Sequence, residues 1–404
     1  MEPQPNVVFM LADNLGVGDL SCFGGAVPTP RIDGLAAEGM RLTNFNTEAQ
    51  CTPTRGALLT GRMPIRTGTF RVPLPGEPGD YGLSTWEYTL ADLFSDAGYA
   101  TACYGKWHLG NVDGRFPTDQ GFDEWWGISE SSDEASYSAH RLYPEDWRVP
   151  KIHESRRGEP QRGVADFDLE TRPLMDEGIA ERTVEFIGRN AAAGRPFFVY
   201  ASFTNLHPPM IPHPEFDDGR GAYAANVAEL DVRTGQILDA LDEAGVADDT
   251  IVVWASDNAT SAAMGGSSGV WRGKFGGGWE GSIRTPAMIR WPGHVPQGRV
   301  SDEIVATYDW LPTLAALAGE LDRVPDDRPI DGIDMSGFVA GNREESGRDH
   351  FVFLGSDGEP LSVKWKDMKV HFKEAMSDSW TAPLLKRQIP AIYDLAADPG
   401  EQND

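Results

Sequence analysis

The sequence predicts an α/β fold: a large, mostly parallel but mixed sheet flanked by helices, with a smaller C-terminal α+β domain that contains an antiparallel sheet. Apolar runs of strand length alternate with helical patterns up to residue 319, which is typical of a sheet covered by helices. Continuous apolar runs such as NVVFMLA and TIVVWAS suit strands that are buried on both faces. Beyond residue 319 the pattern changes to strands with one polar face.

The first half of the chain predicts two such strands and two short helices. Residues 6–12 form the first strand, helices follow at 30–39 and 89–98, and residues 99–106 form the next strand. The polar stretch 127–172 has no clear periodicity. We expect it to be a long loop over the functional face, because long loops are often functional.

The second half continues the alternation of helix and strand. Its predicted elements are a helix at 173–190, a strand at 196–203, a long helix at 222–244, a strand at 250–256 and a helix at 309–319. These elements complete a sheet with helices on both faces.

A domain boundary is predicted near residue 322. Residues 320–347 are rich in Asp, Arg, Gly and Pro, and the segments 350–354 and 362–372 then resemble antiparallel strands. The sequence therefore predicts a large domain over 1–322 and a smaller α+β domain over 323–404.

Composition excludes several classes of partner and site. The formal net charge of −27, from 35 basic and 62 acidic side chains, makes nucleic acid and anionic membranes poor partners. The 3 cysteines include no Cys-x-x-Cys pair, which disfavours a disulfide framework or a thiolate zinc site. No run approaches the roughly 20 apolar residues that span a membrane. The start of the chain lacks a basic segment and its apolar run is interrupted by Asp13, so we expect no signal peptide and a cytoplasmic location.

Two buried-type strands end in the same dipeptide. Asp13-Asn14 follows the strand at 6–12, and Asp257-Asn258 follows the strand at 250–256. Ligands of open α/β sheets bind at the carboxyl ends of strands, and four oxygen-bearing side chains there suit a hard divalent cation. Asp and Asn after a strand are equally typical of Asx turns, so the spacing alone leaves both interpretations open.

A cysteine precedes a predicted helix start. Thr52 can act as the N-cap, with Pro53 at the first helical position. Cys51 would then face the positive end of the helix, a setting that lowers a thiol pKa, and Arg55 would add a fork of donors for an oxyanion. The alternative is a small buried cysteine that packs beneath the helix.

Three further segments hold basic or acid–base side chains. Lys106 and His108 are two residues apart, so an extended chain points both to one side. His207 is followed by two prolines that stiffen its loop, which is compatible with proton transfer. Lys274 lies among glycines, where the backbone can approach a ligand closely. Each of these side chains could equally be a surface or packing residue.

The residues at 51–55 resemble the Cys-x-Pro-x-Arg signature of the sulfatases. The following LLTGR resembles the end of that signature, and the similarity extends over nearly the whole chain. The other matching segments are PNVVFMLADNLGVGDLSCFGG near the start, YGKWHLG at 104–110, SFTNLHPP at 202–209, VWASDNA at 253–259, RGKFGGGWEGSIRTPAMIRWPG at 272–293 and IYDLAADPGEQND near the end.

The resemblance implies a sulfuric ester hydrolase of the alkaline phosphatase superfamily, arylsulfatase-like, that acts on a small-molecule sulfate ester. It implies that a formylglycine-generating enzyme converts Cys51 to formylglycine. It also implies one divalent cation, Ca²⁺ or alternatively Mg²⁺, on Asp13, Asn14, Cys51, Asp257 and Asn258. The catalytic residues that it implies are Cys51, Arg55, Lys106, His108, His207 and Lys274.

The resemblance assigns a role to each catalytic side chain. The hydrated aldehyde at position 51 would attack sulfur, and His207 or Lys274 would protonate the departing alcohol. His108 would take a proton from the second hydroxyl so that sulfate leaves, while Arg55 orients the diol and Lys106 bridges it to the substrate.

Two residues depart from the family pattern. The family usually has a second aspartate where this chain has Asn14, and a glycine where it has Ala259. These departures keep open the alternative of a catalytically inactive binding protein with this fold. A second alternative is a phosphate or phosphonate monoester hydrolase of the same superfamily, which can share the formylglycine and the metal.

Overall fold

The computed structural model describes residues 4–74, 77, 80–144, 148–261, 264–377 and 382–404. Its α-helices are α1 (Pro30–Glu38), α2 (Cys51–Thr60), α3 (Pro64–Thr67), α4 (Leu90–Asp96), α5 (Met175–Ala193), α6 (Ala222–Glu243), α7 (Glu280–Ile283), α8 (Trp310–Leu317) and α9 (Ser336–Val339). Its strands are β1 (Asn6–Ala12), β2 (Met40–Asn46), β3 (Ala100–Lys106), β4 (Glu124–Ile128), β5 (Lys151–Arg156), β6 (Arg162–Asp166), β7 (Phe197–Ser202), β8 (Thr250–Ser256), β9 (Arg284–Arg290), β10 (Arg299–Ser301), β11 (Val305–Ala306), β12 (His350–Leu354), β13 (Pro360–Trp365), β14 (Met368–Ala375) and β15 (Leu384–Asp394).

A large mixed sheet forms the centre of the molecule. Its strand order is β10-β2-β9-β8-β1-β7-β3-β4-β5-β6, and β11 pairs with β2. β1 lies between β7 and β8 and is parallel to both, so all three strands end at the same edge. At that edge Leu11 pairs with Ser202 and Ala12 pairs with Ser256.

Helices cover both faces of this sheet, which explains the continuous apolar runs of its strands. Alternate β1 residues, beginning at Val7, pack into a core with α2, α4 and α8. The intervening residues, beginning at Val8, pack into a second core with α1, α5 and α6. The α/β architecture predicted from the sequence is therefore confirmed.

A second, antiparallel sheet lies near the C-terminus in the order β12-β13-β14-β15. Phe351 and Leu361 pack with Ile283 and Tyr308 of the main body in a separate apolar cluster. Two buried lysines of this sheet, Lys364 and Lys369, each contact a Glu280 carboxylate oxygen at 2.9 Å. The small sheet is thus joined to the main body by apolar packing and by buried charge.

The stretch 127–172 differs from the loop predicted there. Within its described part, β5 pairs antiparallel with β4, and β6 with β5. These strands extend the large sheet at one edge, where an exposed ribbon can pair without an apolar pattern of its own. Residues 145–147 lie outside the described residues.

The domain boundary near residue 322 stays a prediction. Met335, Phe338 and Val339 lie beyond that point and pack into the core on the α2 face of the large sheet.

None of the described helices combines the length and the apolar character needed to cross a bilayer.

Candidate active site

The tips of β1 and β8 bring the two Asp-Asn pairs together. The backbone N–H of Asn14 donates to Asp257 Oδ1 at 3.2 Å, and the Asn258 amide donates to Asn14 Oδ1. All four side chains are buried. Asn14 adopts a φ of 61°, a left-handed conformation that Asn tolerates better than most residues. The two Asp-Asn pairs therefore form one oxygen-rich pocket and are not simply two independent Asx turns.

Helix α2 presents Cys51 to this pocket. The Cys51 sulfur lies 3.5 Å from Asp13 Oδ1 and 3.9 Å from Asn14 Oδ1. Asp13, Cys51 and His207 have ligand atoms that all lie within 4.8 Å of one another, a spacing that could hold a metal ion.

The predicted start of this helix was wrong by two residues. Gln50 is the N-cap, and Cys51 is the first helical residue. The Thr52 hydroxyl donates to the His108 carbonyl at 3.0 Å and caps no helical N–H. Pro53 stays within the first turn, where a missing N–H removes no helical hydrogen bond.

Two buried cations balance two buried carboxylates. Arg55 donates from Nε and Nη2 to Asp257 Oδ2 at 3.0 and 2.8 Å. Lys106 Nζ donates to Asp13 Oδ2 at 2.8 Å. Arg55 also donates to the Lys106 carbonyl at 2.8 Å and to Ser202 Oγ at 2.5 Å, so α2, β3 and β7 are fixed to one another at the site. Ser202 begins the segment SFTNLHPP, but the sequence analysis gives it no role at the site.

The two carboxylates differ in acidity. Burial alone would raise the pKa of Asp13, but Lys106, His207 and Arg55 outweigh it and lower that pKa to about 2. Burial, followed by the charge of Asp13, raises the pKa of Asp257 to about 6. Asp13 is therefore the stronger anion of the pocket.

The expected low thiol pKa at position 51 is contradicted. Burial, followed by the charges of Asp13 and Asp257, raises the pKa of Cys51 well above its ordinary value. These effects exceed the attraction of the helix N-terminus for negative charge. In this setting Cys51 is a neutral thiol and not a reactive thiolate.

Both predicted histidines border the pocket. His207 Nδ1 lies 2.8 Å from the Pro208 carbonyl oxygen. Because a carbonyl oxygen can only accept a hydrogen bond, Nδ1 carries the proton. The other ring nitrogen, Nε2, lies 3.3 Å from Ser131 Oγ. The buried His108 Nδ1 has no hydrogen-bond partner among the described residues. Burial, followed by the charge of Lys106, lowers the pKa of both imidazoles.

Lys274 is not brought into contact with this cluster in the described part of the chain. Its ammonium group donates to the Gly266 carbonyl at 2.9 Å. Burial raises the pKa of the nearby Asp19 carboxylate, and the positive charge of Lys274 partly opposes that rise. Its glycine-rich segment therefore lies beside the loop that follows β1.

A cavity of about 230 Å³ opens beside Cys51. His108 and His207 line it, together with residues that the sequence did not single out, including Ser131, Asp133 and Tyr137. The prediction of a functional loop at 127–172 was the one signal that pointed to this segment. A larger groove of about 930 Å³ runs beside β4, β5 and α5 and contains none of the cluster.

Residues 5–320 match the family model described as Sulfatase. The chain belongs to the sulfatase family. It is 35% identical to arylsulfatase A of Homo sapiens, over 98% of this chain and 82% of that protein. It is 31% identical to the steryl-sulfatase of Mus musculus, over 98% of this chain and 78% of that protein.

A solved sulfatase structure, PsFucS1 from a Pseudoalteromonas species, superposes on this sulfatase with a TM-score of 0.90. The two share 29% identity over 99% of this chain and 86% of that one. Family membership and these relatives identify the protein as a sulfuric ester hydrolase, which hydrolyses sulfate esters.

Proposed function

We propose that this sulfatase hydrolyses small-molecule sulfate esters with a formylglycine formed from Cys51 and one divalent cation, Ca²⁺. The cation would be held by Asp13, Asn14, Asp257, Asn258 and position 51. The single observation that supports this proposal is the convergence of the β1 and β8 tips on the first residue of α2, with the Cys51 sulfur 3.5 Å from Asp13 Oδ1.

The donor set fits a hard cation. Carboxylate and amide oxygens predominate in it, as Ca²⁺ prefers, and Ca²⁺ accepts irregular geometry more readily than Mg²⁺. Asn258 Oδ1 is buried and has no hydrogen-bond partner among the described residues. An orphaned buried oxygen is costly, and a cation would satisfy it.

The charge balance of the pocket supports anion binding once a cation is present. The positive charges of Arg55 and Lys106 already offset the carboxylates of Asp13 and Asp257. A divalent ion would leave the pocket with two positive charges, and the single negative charge of a sulfate monoester would be attracted to it and offset one of them. The same balance explains how a protein of net charge −27 can bind an anionic substrate.

When present, the hydrated aldehyde supplies a nucleophilic hydroxyl and a second hydroxyl that allows sulfate to leave, and the cation supplies Lewis-acid stabilisation. Arg55 and Lys106 would hold the reacting group and the sulfuryl oxygens by charge-assisted hydrogen bonds. Because both side chains are fully buried, they are held in place before the substrate arrives.

Two histidines would move protons on either side of the reacting centre. His207 presents Nε2 to the cavity because Nδ1–H is engaged by the Pro208 carbonyl. Nε2 would take up a proton from solvent when the anionic substrate binds beside it, and would then give that proton to the departing alcohol. His108 is neutral, since burial lowers its pKa, and would accept the proton from position 51 that accompanies sulfate release. Lys274 stays a second candidate for the donor to the alcohol.

The modification is tested by peptide mass spectrometry of the protein co-expressed with a formylglycine-generating enzyme, the partner that we propose for maturation. We expect the peptide containing residue 51 to carry the mass of an aldehyde in place of a thiol. The converted protein should turn over nitrophenyl sulfate when Ca²⁺ is supplied, and Cys51→Ala should not. Full turnover by protein with an intact thiol would contradict the proposal.

The two alternative functions are tested in the same assay. A phosphate or phosphonate monoester hydrolase would prefer nitrophenyl phosphate or a phosphonate analogue to the sulfate. An inactive binding protein would keep the thiol at Cys51 and hydrolyse none of the three with added Ca²⁺. We expect the sulfate to be preferred.

A further inference from the structure

The lining of the catalytic cavity includes one acidic side chain in a setting that is otherwise uncharged. Besides Cys51 and the histidines, the described lining is mostly apolar or aromatic, with Val72, Pro73, Tyr137, Pro208 and Phe275. Ser131 and Ser261 add hydroxyl groups, and Asp133 adds a carboxylate. No lysine or arginine is among the described lining residues.

The Asp133 charge is not neutralised by a neighbouring cation. Its carboxylate accepts a hydrogen bond from the Tyr137 hydroxyl at 3.1 Å, and it forms no salt bridge within the described chain. Its charge reaches the reacting end of the cavity, because it opposes the lowering of the His207 pKa that burial and Lys106 cause.

Two acidic neighbours of Asp133, Glu130 and Glu134, are not among the described lining residues of the cavity. Burial raises the pKa of Glu130 to about 8. Burial, followed by the charge of Glu130, raises the pKa of Glu134 well above its ordinary value. Glu130 is therefore mainly protonated at pH 7. Of these three acidic residues, Asp133 is the one among the described lining residues of the cavity.

A ring that carries the reacting sulfate and lies within the cavity would be close to this carboxylate, which is among the described lining residues. An enclosed apolar space of roughly 150 Å³ is sufficient to hold a benzene ring. A cavity of about 230 Å³ therefore has room for the sulfate group and little more than one ring. Anionic substituents on that ring would lie near Asp133 without a counter-cation, whereas neutral or cationic ones would not be repelled.

We infer that Asp133 is a specificity-determining residue that rejects sulfate esters with a second anionic group close to the ester. This inference rests on the proposed function. The favoured substrate class is a monosulfate whose alcohol is uncharged or cationic near the ester. Polyanionic sulfates, in which a carboxylate or another sulfate adjoins the reacting one, are disfavoured.

Two aryl sulfates of matched shape test this inference. The sulfate ester of 3-hydroxybenzamide is neutral apart from its sulfate, and that of 3-hydroxybenzoate carries a second anion. We expect wild-type kcat/KM to favour the amide by roughly tenfold or more, mainly through KM. Asp133→Asn keeps the shape and the contact with Tyr137, and it should reduce this preference to about threefold or less. Asp326→Asn, an exposed carboxylate outside the cavity lining, should leave the preference as in the wild type.

Each outcome decides for or against the inference. Equal wild-type turnover of the two esters would overturn it without any variant, even if Asp133→Asn fails to fold. An unchanged preference in folded Asp133→Asn would also overturn it. Loss of turnover of both esters by converted, Ca²⁺-supplied wild type would overturn the proposed function and this inference together, whereas equal turnover overturns the inference alone.

Discussion

At the scale of single residues, Asn14 affects the charge of the pocket formed by Asp13, Asn14, Asp257 and Asn258, the proposed cation site. The carboxylates of Asp13 and Asp257 are matched by Lys106 and Arg55, so a third carboxylate would have no partner until a cation binds. A neutral amide at position 14 avoids that unpaired charge, which is expensive when buried. The expected consequence is a weaker cation site than the family pattern with two aspartates provides.

Asn14→Asp should therefore strengthen Ca²⁺ binding. We expect the dissociation constant for Ca²⁺ to fall by roughly tenfold or more, because affinity for Ca²⁺ follows the number of charged ligands. Calorimetric titration of the metal-stripped protein with Ca²⁺ measures this constant. The KM for sulfate esters should rise, since the loaded pocket loses one positive charge. Asn342→Asp, which adds the same charge at an exposed position, is the matched control. Unchanged Ca²⁺ affinity in Asn14→Asp would exclude position 14 as a ligand.

His207 and Lys274 can be separated as proton donors by the leaving alcohol. We expect His207→Ala to lower kcat on phenyl sulfate by about 10²–10⁴-fold, because phenol needs protonation. Its effect on nitrophenyl sulfate should be much smaller, because nitrophenol leaves readily as an anion. Lys274→Ala should affect both substrates equally, in keeping with the contact of Lys274 with Gly266. The reverse pattern would assign proton donation to Lys274.

At the scale of secondary-structure elements, β3 depends on Gly105, the residue directly before Lys106. Gly105 lies between Ser202 of β7 and Gly127 of β4 in the sheet and adopts a φ of 111°. A Cβ at this position would overlap the Ser202 carbonyl oxygen. Because the atom that the Cβ would meet belongs to the backbone of β7, the clash cannot be relieved without disturbing the sheet.

Gly105→Ala should consequently destabilise the fold and displace Lys106. We expect a loss of about 2–5 kcal/mol in the free energy of unfolding, from the strained φ together with overpacking. Urea denaturation measures this loss. Gly188→Ala is the matched control: Gly188 is exposed in α5 with open space around it, and the change should be neutral or stabilising by up to about 1 kcal/mol. Equal stability of the two variants would contradict the packing argument.

Sequence patterns predicted most elements around the site but not their relation to one another. The runs at 6–12 and 250–256 were identified as strands because burial on both faces requires apolar residues throughout. The ribbon of β5 and β6 is not predicted, because β6 is exposed throughout and β5 is only partly buried at the sheet edge, so neither has a continuous apolar run. Its pairing depends on β4 and not on its own composition.

At the scale of the whole molecule, buried charges join the small sheet to the main body. Glu280 of α7 contacts Arg284 at 2.5 Å and both Lys364 and Lys369 at 2.9 Å. Burial alone would raise the pKa of Glu280, but Lys364, Lys369 and Arg284 outweigh it and lower the pKa well below its ordinary value. The carboxylate therefore stays ionised in the folded protein over a wide range of pH.

The lowered pKa of Glu280 predicts a dependence of stability on pH. Because the folded pKa lies below the unfolded one, its contribution is complete above the unfolded pKa of about 4.3 and is lost as the pH falls towards the folded pKa. Glu280→Gln should lower the free energy of unfolding at pH 7 by about 3 kcal/mol, because the buried Lys364 loses its carboxylate partner. Lys369 keeps Glu401 and Arg284 keeps Asp302.

Glu280→Gln should also make the free energy of unfolding less dependent on pH between pH 7 and pH 4, because the variant has no carboxylate to protonate at this position. Urea midpoints at pH 7 and pH 4 measure both effects. Glu344→Gln, whose side chain is 94% exposed, should leave both midpoints near those of the wild type. A Glu280→Gln variant as stable as the wild type at pH 7 would show that the buried cluster does not stabilise the junction.

The sequence by itself determined the α/β class, the family and the identities of most candidate site residues, because apolar patterning and short motifs are local properties of the chain. Only the tertiary structure decided that Asp257 contacts Asn14 across 243 residues. It also decided that the Cys51 thiol is neutral, that Lys274 contacts Gly266 outside the cluster, and that Asp133 faces the cavity. Each of these depends on burial and on charges brought together by the sheet, and no local pattern contains that information.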